Sequence, residues 1–239
     1  MKTSRIHPRA EQVAELTRGQ ELPTPALDDI HLEIIADVLI ETWRDLAATH
    51  PAIVNSGLEA EITTLVESAL VRRLDEDPLW EQMVRCVARG KETISFDGAH
   101  LEKRPDLSIY LTRRSHAFPL VIECKIIDRH SGKHVDLYCE DGVLRFIIGE
   151  YAWATSEAFM LAYVRDGSQP LDTLVPLLHE AQSSQPDRFA TLRLVEPTNA
   201  AILIRTIHNR TFRYVHVPSG HPGPIAIWHL WLSTINDRR

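Results

Sequence analysis

The chain has 239 residues, 44% of them apolar and 25% charged, with a formal net charge of -7. That is enough apolar material for a substantial core in one domain, or in one domain with an added layer. A broad phosphate grip is usually basic, so the acidic balance disfavours a protein that coats nucleic acid, although a local basic groove can coexist with an acidic remainder. The three cysteines, Cys86, Cys124 and Cys139, have neither disulfide-framework nor zinc spacing and read as buried free thiols in a reducing compartment. No apolar run reaches the ~18 residues of a membrane span, and the N-terminus has no long apolar stretch of signal-peptide type, so a cytoplasmic protein without a membrane partner is expected.

Residues 1–26 are polar, with Pro8, Pro23 and Pro25, and read as an extended or partly helical arm. From Leu27 to His50 the apolar stripe Ile30, Ile34, Val38, Ile40 and Trp43 predicts a helix, with Asp28 and Asp29 at its dipole-favoured start and Pro51 as its stop. Gly57 precedes a second helix, LEAEITTLVESALVRRL. A third, PLWEQMVRCVAR, is expected to begin at Pro78 and end at Gly90. The pattern then changes to three predicted strands, ETISFDG, RPDLSIYLTRR and FPLVIECKIID. After the loop RHSGKH, the second half of VDLYCEDGVLRFIIGEYA reads as a helix, AFMLAYV as a strand and LDTLVPLLHEAQ as a helix. ATLRLVE, AAILIRTIH, FRYVHV and AIWHLWL read as strands, the last with a terminal helix as its alternative, and PSGHPGP as a surface loop. This order predicts an α/β fold with a mixed sheet.

The strand FPLVIECKIID carries the chemistry. Leu120 to Ile127 is apolar except for Glu123, Cys124 and Lys125, as in a central strand covered on both faces. Side chains alternate along a strand, so Glu123 and Lys125 share one face and Cys124 takes the other. Two buried charges need a partner, a metal or a ligand. Asp106, at the start of the preceding predicted strand, is placed to come beside Glu123. Two close carboxylates raise each other's pKa, and a divalent cation relieves this. Magnesium needs only one or two of them because it keeps several waters.

Pro105-Asp106 followed by Glu123-Cys124-Lys125 resembles the PD-(D/E)xK signature of the restriction-endonuclease-like nucleases. The resemblance spans about residues 57–165 and implies an α-β-β-β-α-β core, a mixed central sheet flanked by helices. The N-terminal helices and C-terminal strands are then additions, with an arm and helix at 1–56 and the nuclease-like domain at 57–239. It implies that Asp106 and Glu123 bind magnesium, with manganese able to stand in. The backbone carbonyl of Cys124 would assist, and Lys125 would hold or polarise the attacking water. Members of this family add a helix glutamate. Spaced at about 100° per residue, Glu59 falls inside the apolar arc of its helix, Glu61 on its edge and Glu67 nearly opposite. Glu59 is therefore the leading third carboxylate and Glu61 the second choice, while an acidic residue favoured by the first helical turn is an equal alternative for Glu59.

Arg145, Arg210 and His208 are the candidate nucleic-acid contacts. Their alternatives are a solvent-facing arginine for Arg145 and an exposed basic hairpin for the other two. Tyr151 and Trp153 read as core before they read as base-stacking platforms, and His229 as a core histidine. The chain has no P-loop, dinucleotide fingerprint or nucleophile elbow. The expected function is a magnesium-dependent endonuclease on DNA, with RNA of the same chemistry open. A role as an effector in bacterial anti-phage defence, controlled by a protein partner or self-assembly, follows from the resemblance alone. A non-catalytic interaction module, with Glu123 and Lys125 as a structural ion pair, is the reading from another class.

Overall fold

The computed structural model describes residues 9–99, 103–195, 202–214 and 220–234. Five expectations reach outside those residues: the first part of the N-terminal arm (1–8), the ends of the predicted strands ATLRLVE and AAILIRTIH, the second half of FRYVHV (215–217), and the start of the loop at 218–219.

The N-terminal part forms α1 (Ala10–Leu16), α2 (Asp29–Thr49), α3 (Pro51–Ser56), α4 (Glu59–Glu76) and α5 (Pro78–Met83). Pro51 ends α2 as expected, but also supplies the first turn of α3. Strands β1 (Val84–Arg89), β2 (Leu107–Leu111) and β3 (Leu120–Ile127) follow. Helix α6 (Val135–Tyr138) continues through a π-helical segment, Cys139–Val143, into α7 (Leu144–Ile147). Then come β4 (Glu157–Val164), α8 (Pro170–Ser183), β5 (Thr191–Val195), β6 (Leu203–His208) and β7 (Ile225–Ser233).

Among the described residues the sheet has seven strands, in the order β1-β2-β3-β4-β7-β6-β5. The pairs β3–β4 and β4–β7 are parallel and the rest antiparallel, so the expected α/β class with a mixed, helix-flanked sheet is what forms. Along β3, Ile122, Cys124 and Ile126 enter the core shared with α2 and α4. Val121 and Ile127 enter the opposite core, beneath the α6–α7 run and α8. Leu32, Ile35, Leu39 and Trp43 of α2 lie in the same cluster as α4 and the sheet, so the N-terminal helix is part of that core.

Four sequence expectations are corrected. The helix from Pro78 ends at Met83, and VRCVAR is strand β1. ETISFDG is not a strand; it touches its neighbours through the isolated bridge Thr93↔Lys103, while Ile94 and Phe96 pack against a separate cluster around Phe118, Trp153 and Phe212. Phe212 to Tyr214, the described part of FRYVHV, has no regular structure. The terminal AIWHLWL is strand, not helix. Cys124 and Cys139 are buried as expected, but Cys86 is exposed.

A buried polar chain crosses the C-terminal half. Tyr138 Oη lies 2.8 Å from His229 Nδ1, His229 Nε2 lies 2.7 Å from Thr206 Oγ1, Thr206 Oγ1 lies 2.6 Å from His208 Nε2, and His208 Nδ1 lies 2.8 Å from the Phe189 carbonyl. A carbonyl only accepts, so His208 donates from Nδ1 and accepts from Thr206. Thr206 in turn accepts from His229, and His229 accepts from Tyr138. Every link is satisfied with both imidazoles neutral. Burial pushes His208 down to about 4 and His229 well below its ordinary value. The folded protein therefore refuses protons that the unfolded chain takes up below about pH 6.5. Stability from this source is full above that value and is lost as pH falls toward about 4, by on the order of 3 kcal/mol for His208. NMR titration of the imidazole carbons is expected to show both rings neutral until the protein unfolds.

Candidate functional site

The pairing of β2 with β3 stops at Leu107↔Ile122, because Pro105-Asp106 turns the chain away from the sheet. Beyond that point one edge of β3 has no strand partner, and its backbone amides must be satisfied by other means. Two carboxylates do so. Asp106 Oδ2 accepts from the Cys124 amide at 2.8 Å, and Glu59 Oε2 accepts from the Ile126 amide at 2.9 Å. The same divergence that opens the sheet thus fixes two acidic groups beside the buried Glu123.

Glu59 is the first residue of α4, as the helix-start reading has it, and it also reaches β3. Glu61 is taken up in capping the same helix, accepting from the Leu58 amide at 2.7 Å. The geometry therefore brings Glu59, not Glu61, to Glu123 and Lys125.

Lys125 and Glu123 share a face of β3, and their side chains meet. Lys125 Nζ lies 2.7 Å from Glu123 Oε1, 3.0 Å from the Cys124 carbonyl and 3.7 Å from Glu59 Oε1. Burial alone would lower the lysine pKa, but Glu123 and Glu59 outweigh it and hold the ammonium above its ordinary value.

Arg145 of α7 completes the group, with Nη1 3.2 Å from Glu123 Oε1 and 2.9 Å from Tyr151 Oη. The solvent-facing alternative for Arg145 is not what forms. The Tyr151 hydroxyl donates onward to the Arg104 carbonyl at 3.0 Å. Gly142, in the π-helical segment, allows this helix to sit close over the strand. A Cβ there would fall 2.4 Å from Met160 Cε and 3.9 Å from Glu123 Cγ.

Glu123 is the strained member. Its side chain is 2% exposed, and Oε2 has no hydrogen-bond partner among the described residues. Burial and then Asp106 push its pKa up to about 7, against the opposing pull of Lys125 and Arg145. The folded state binds this proton more tightly than the unfolded chain, so its contribution to stability is full below about pH 4.5 and is lost as pH rises through about 7. In EDTA at about pH 8, Glu123→Gln is expected to raise stability by on the order of 1 kcal/mol, less than burial alone implies because Lys125 loses a partner. Thermal unfolding at about pH 6 and pH 8 checks this, with the gain shrinking at the lower pH.

Among the described residues no three His, Cys, Asp or Glu side chains gather as a ready cation cage. The donor set does suit a cation that keeps most of its waters: an orphaned carboxylate oxygen on Glu123, the Asp106 carboxylate and the Cys124 carbonyl. The Lys125 ammonium now lies against two of those three residues.

A cleft of about 480 Å³ opens beside Asp106, walled by Glu67, Arg89, Gly90, Arg104 and Pro105. Glu67 accepts from the Arg89 amide at 3.1 Å. Glu67 lies opposite the apolar arc on a helical wheel, and it is the packing of α4 on β1 that brings it to Arg89.

His208 and Arg210 lie outside this group. His208 is fully buried in the polar chain above. Arg210 spends its guanidinium on the carbonyls of Ala152, Trp153, Thr155, Pro222 and Gly223, at 2.7–3.1 Å. Burial pushes its pKa down to about 10. Neither side chain is left to grip a phosphate backbone, and both expectations are corrected on that ground. Tyr151 and Trp153 are 3% and 5% exposed, in line with core packing.

No helix among the described residues is long and apolar enough to cross a membrane. In comparison with known proteins, no family model, curated protein or solved structure matches the chain.

Proposed function

We propose that the chain is a divalent-cation-dependent nuclease, with DNA as the leading substrate and RNA the second. The observation that carries the reading is the convergence of Asp106, Glu123, Lys125, Glu59 and Arg145 where β2 and β3 part, around a buried carboxylate oxygen without a hydrogen-bond partner among the described residues. The chain order supports the likeness to the restriction-endonuclease core: helix α4, strands β1 to β3, the α6–α7 run, then β4 parallel to β3.

Asp106, Glu123 and the Cys124 carbonyl would hold magnesium or manganese, which when bound supplies Lewis-acid activation of water and neutralises phosphate charge. The chain's own groups do the rest. Glu59 and Glu123 hold the Lys125 ammonium charged, so it donates a hydrogen bond to the attacking water rather than removing a proton. Arg145, tied to Tyr151 and Glu123, presents its remaining donors to the phosphate oxygens as charge builds on them. Arg89 and Arg104 line the cleft through which a strand would lead to Asp106.

One observation favours a second reading. Lys125 and Arg145 already pair with Glu123, as they would in an interaction module whose buried charges are purely structural. Incubation of plasmid DNA and of single-stranded RNA with magnesium, manganese or EDTA separates the two. Cleavage that requires the cation supports the nuclease and ranks its substrates, whereas intact substrates under every condition favour the module.

A further inference from the structure

A second cavity lies against the proposed active site. It encloses about 440 Å³, within the range of small-molecule sites, and ring-bearing residues wall it: Tyr110, His116, Phe118, Tyr151 and Trp153. Two links join it to the acidic cluster. Pro105, next to Asp106, lines both this cavity and the cleft beside it. Tyr151 lines the cavity, and its hydroxyl accepts from Arg145, which lies against Glu123. The cavity is built rather than incidental. Trp153 Nε1 donates to the Ile94 carbonyl at 2.8 Å, Phe118 packs edge-on to Trp153, and Arg210 fixes the carbonyls of Ala152 and Trp153. Tyr110 is half-buried and His116 exposed, so the cavity has an open side, with Lys91 Nζ 4.9 Å from the Tyr110 ring at its rim.

We propose that this cavity receives an unpaired nucleobase adjoining the phosphate held at Asp106, Glu123 and Lys125. The proposal rests on the nuclease reading and adds a substrate class to it: single-stranded or locally opened nucleic acid. A base has two flat faces that stack on aromatic rings whatever its sequence; here Tyr110 and His116 offer the accessible rings above the buried Phe118, Tyr151 and Trp153, and Lys91, Glu92 and Glu150 also line the pocket. A base held in a duplex cannot enter without leaving its stack, so paired substrates are disfavoured. The acidic net charge fits as well, because a strand anchored by stacking near the cleavage point needs fewer phosphate contacts along its length.

The test uses the full chain in EDTA and the fluorescent nucleoside 2-aminopurine deoxyriboside, which has no phosphate and reports stacking by quenching. Wild-type protein is expected to quench it saturably. The paired substitution Tyr110→Ala with His116→Ala, and separately Ala117→Trp, which fills the cavity from a residue lining it, are each expected to weaken binding by at least about fivefold. Lys125→Ala should leave nucleoside binding unchanged. Absence of quenching, or quenching that survives both cavity variants, overturns the proposal. The two readings fail separately: a chain that cuts nucleic acid but does not bind the nucleoside loses the pocket and keeps the nuclease. A chain that binds the nucleoside through this cavity but never cuts keeps the pocket and loses the nuclease.

Discussion

Lys125→Ala is expected to reduce cation-dependent cleavage by about a hundredfold to a thousandfold while leaving the protein folded. The size follows from the cost of losing one preorganised donor aimed at developing charge in a site largely closed to water. The fold should survive because Arg145 still faces Glu123, and because Glu123, pushed up to about 7, can take a proton near neutrality when its main partner is removed. Lys125→Met, which keeps the apolar stem, separates lost charge from lost packing. Asp106→Ala should be more severe. It removes a carboxylate from the donor set and also leaves the Cys124 amide without its acceptor, so activity should fall below detection with some loss of stability. Initial cleavage rates alongside thermal midpoints check both. Unchanged rates in Lys125→Ala would remove that residue from the mechanism.

The largest loss of stability is expected at Arg210. Arg210→Ala strips the donors from five carbonyls that come from two separate stretches, 152–155 and 222–223. It also releases Ala152 from an anchor. That residue sits at φ 49°, a left-handed conformation a non-glycine residue holds only under constraint. Water reaches some of the freed carbonyls, so the cost is set below the sum of five hydrogen bonds, at about 3 kcal/mol. In a chain of this size that corresponds to a fall of roughly 6–12 °C in the thermal midpoint. Tyr151 and Trp153 ride on the clamped stretch, so the variant should also bind nucleoside more weakly. A midpoint within about 1 °C of wild type would mean that Arg210 holds nothing together.

Much of the candidate site was legible in the sequence because its physics is local. Two charges on one face of an apolar strand at Glu123 and Lys125, with Asp106 at the start of the strand before, need only the two-residue repeat of a strand to be placed together. Glu59 was nearly as legible, from its angle on α4. The remainder depends on pairings and phase shifts that a single sequence conceals. The bulge in β1 between Val84 and Cys86 puts the buried Val84 and Val87 three residues apart, which imitates a helix. The π-helical segment before Leu144 inserts a residue into the helical phase, so an ideal wheel points Arg145 to solvent when it in fact faces Glu123. Ile94 and Phe96 have strand propensity but spend it packing with the third cluster, away from the sheet. His208 and Arg210 looked like a basic hairpin because nothing local tells that β6 lies between β5 and β7, or that distant carbonyls surround the guanidinium.

A nuclease of this kind requires that Asp106 and Glu123 together hold a divalent cation. Calorimetric titration of the purified chain with manganese, near pH 7 in two buffers of different ionisation enthalpy, tests it most directly. Glu123 holds part of its proton at that pH and must lose it to bind a metal. One saturable site with proton release is therefore expected, lost in Asp106→Ala and in Glu123→Gln. No binding, or binding that both variants retain, would contradict it and leave Glu123 and Lys125 as a structural ion pair.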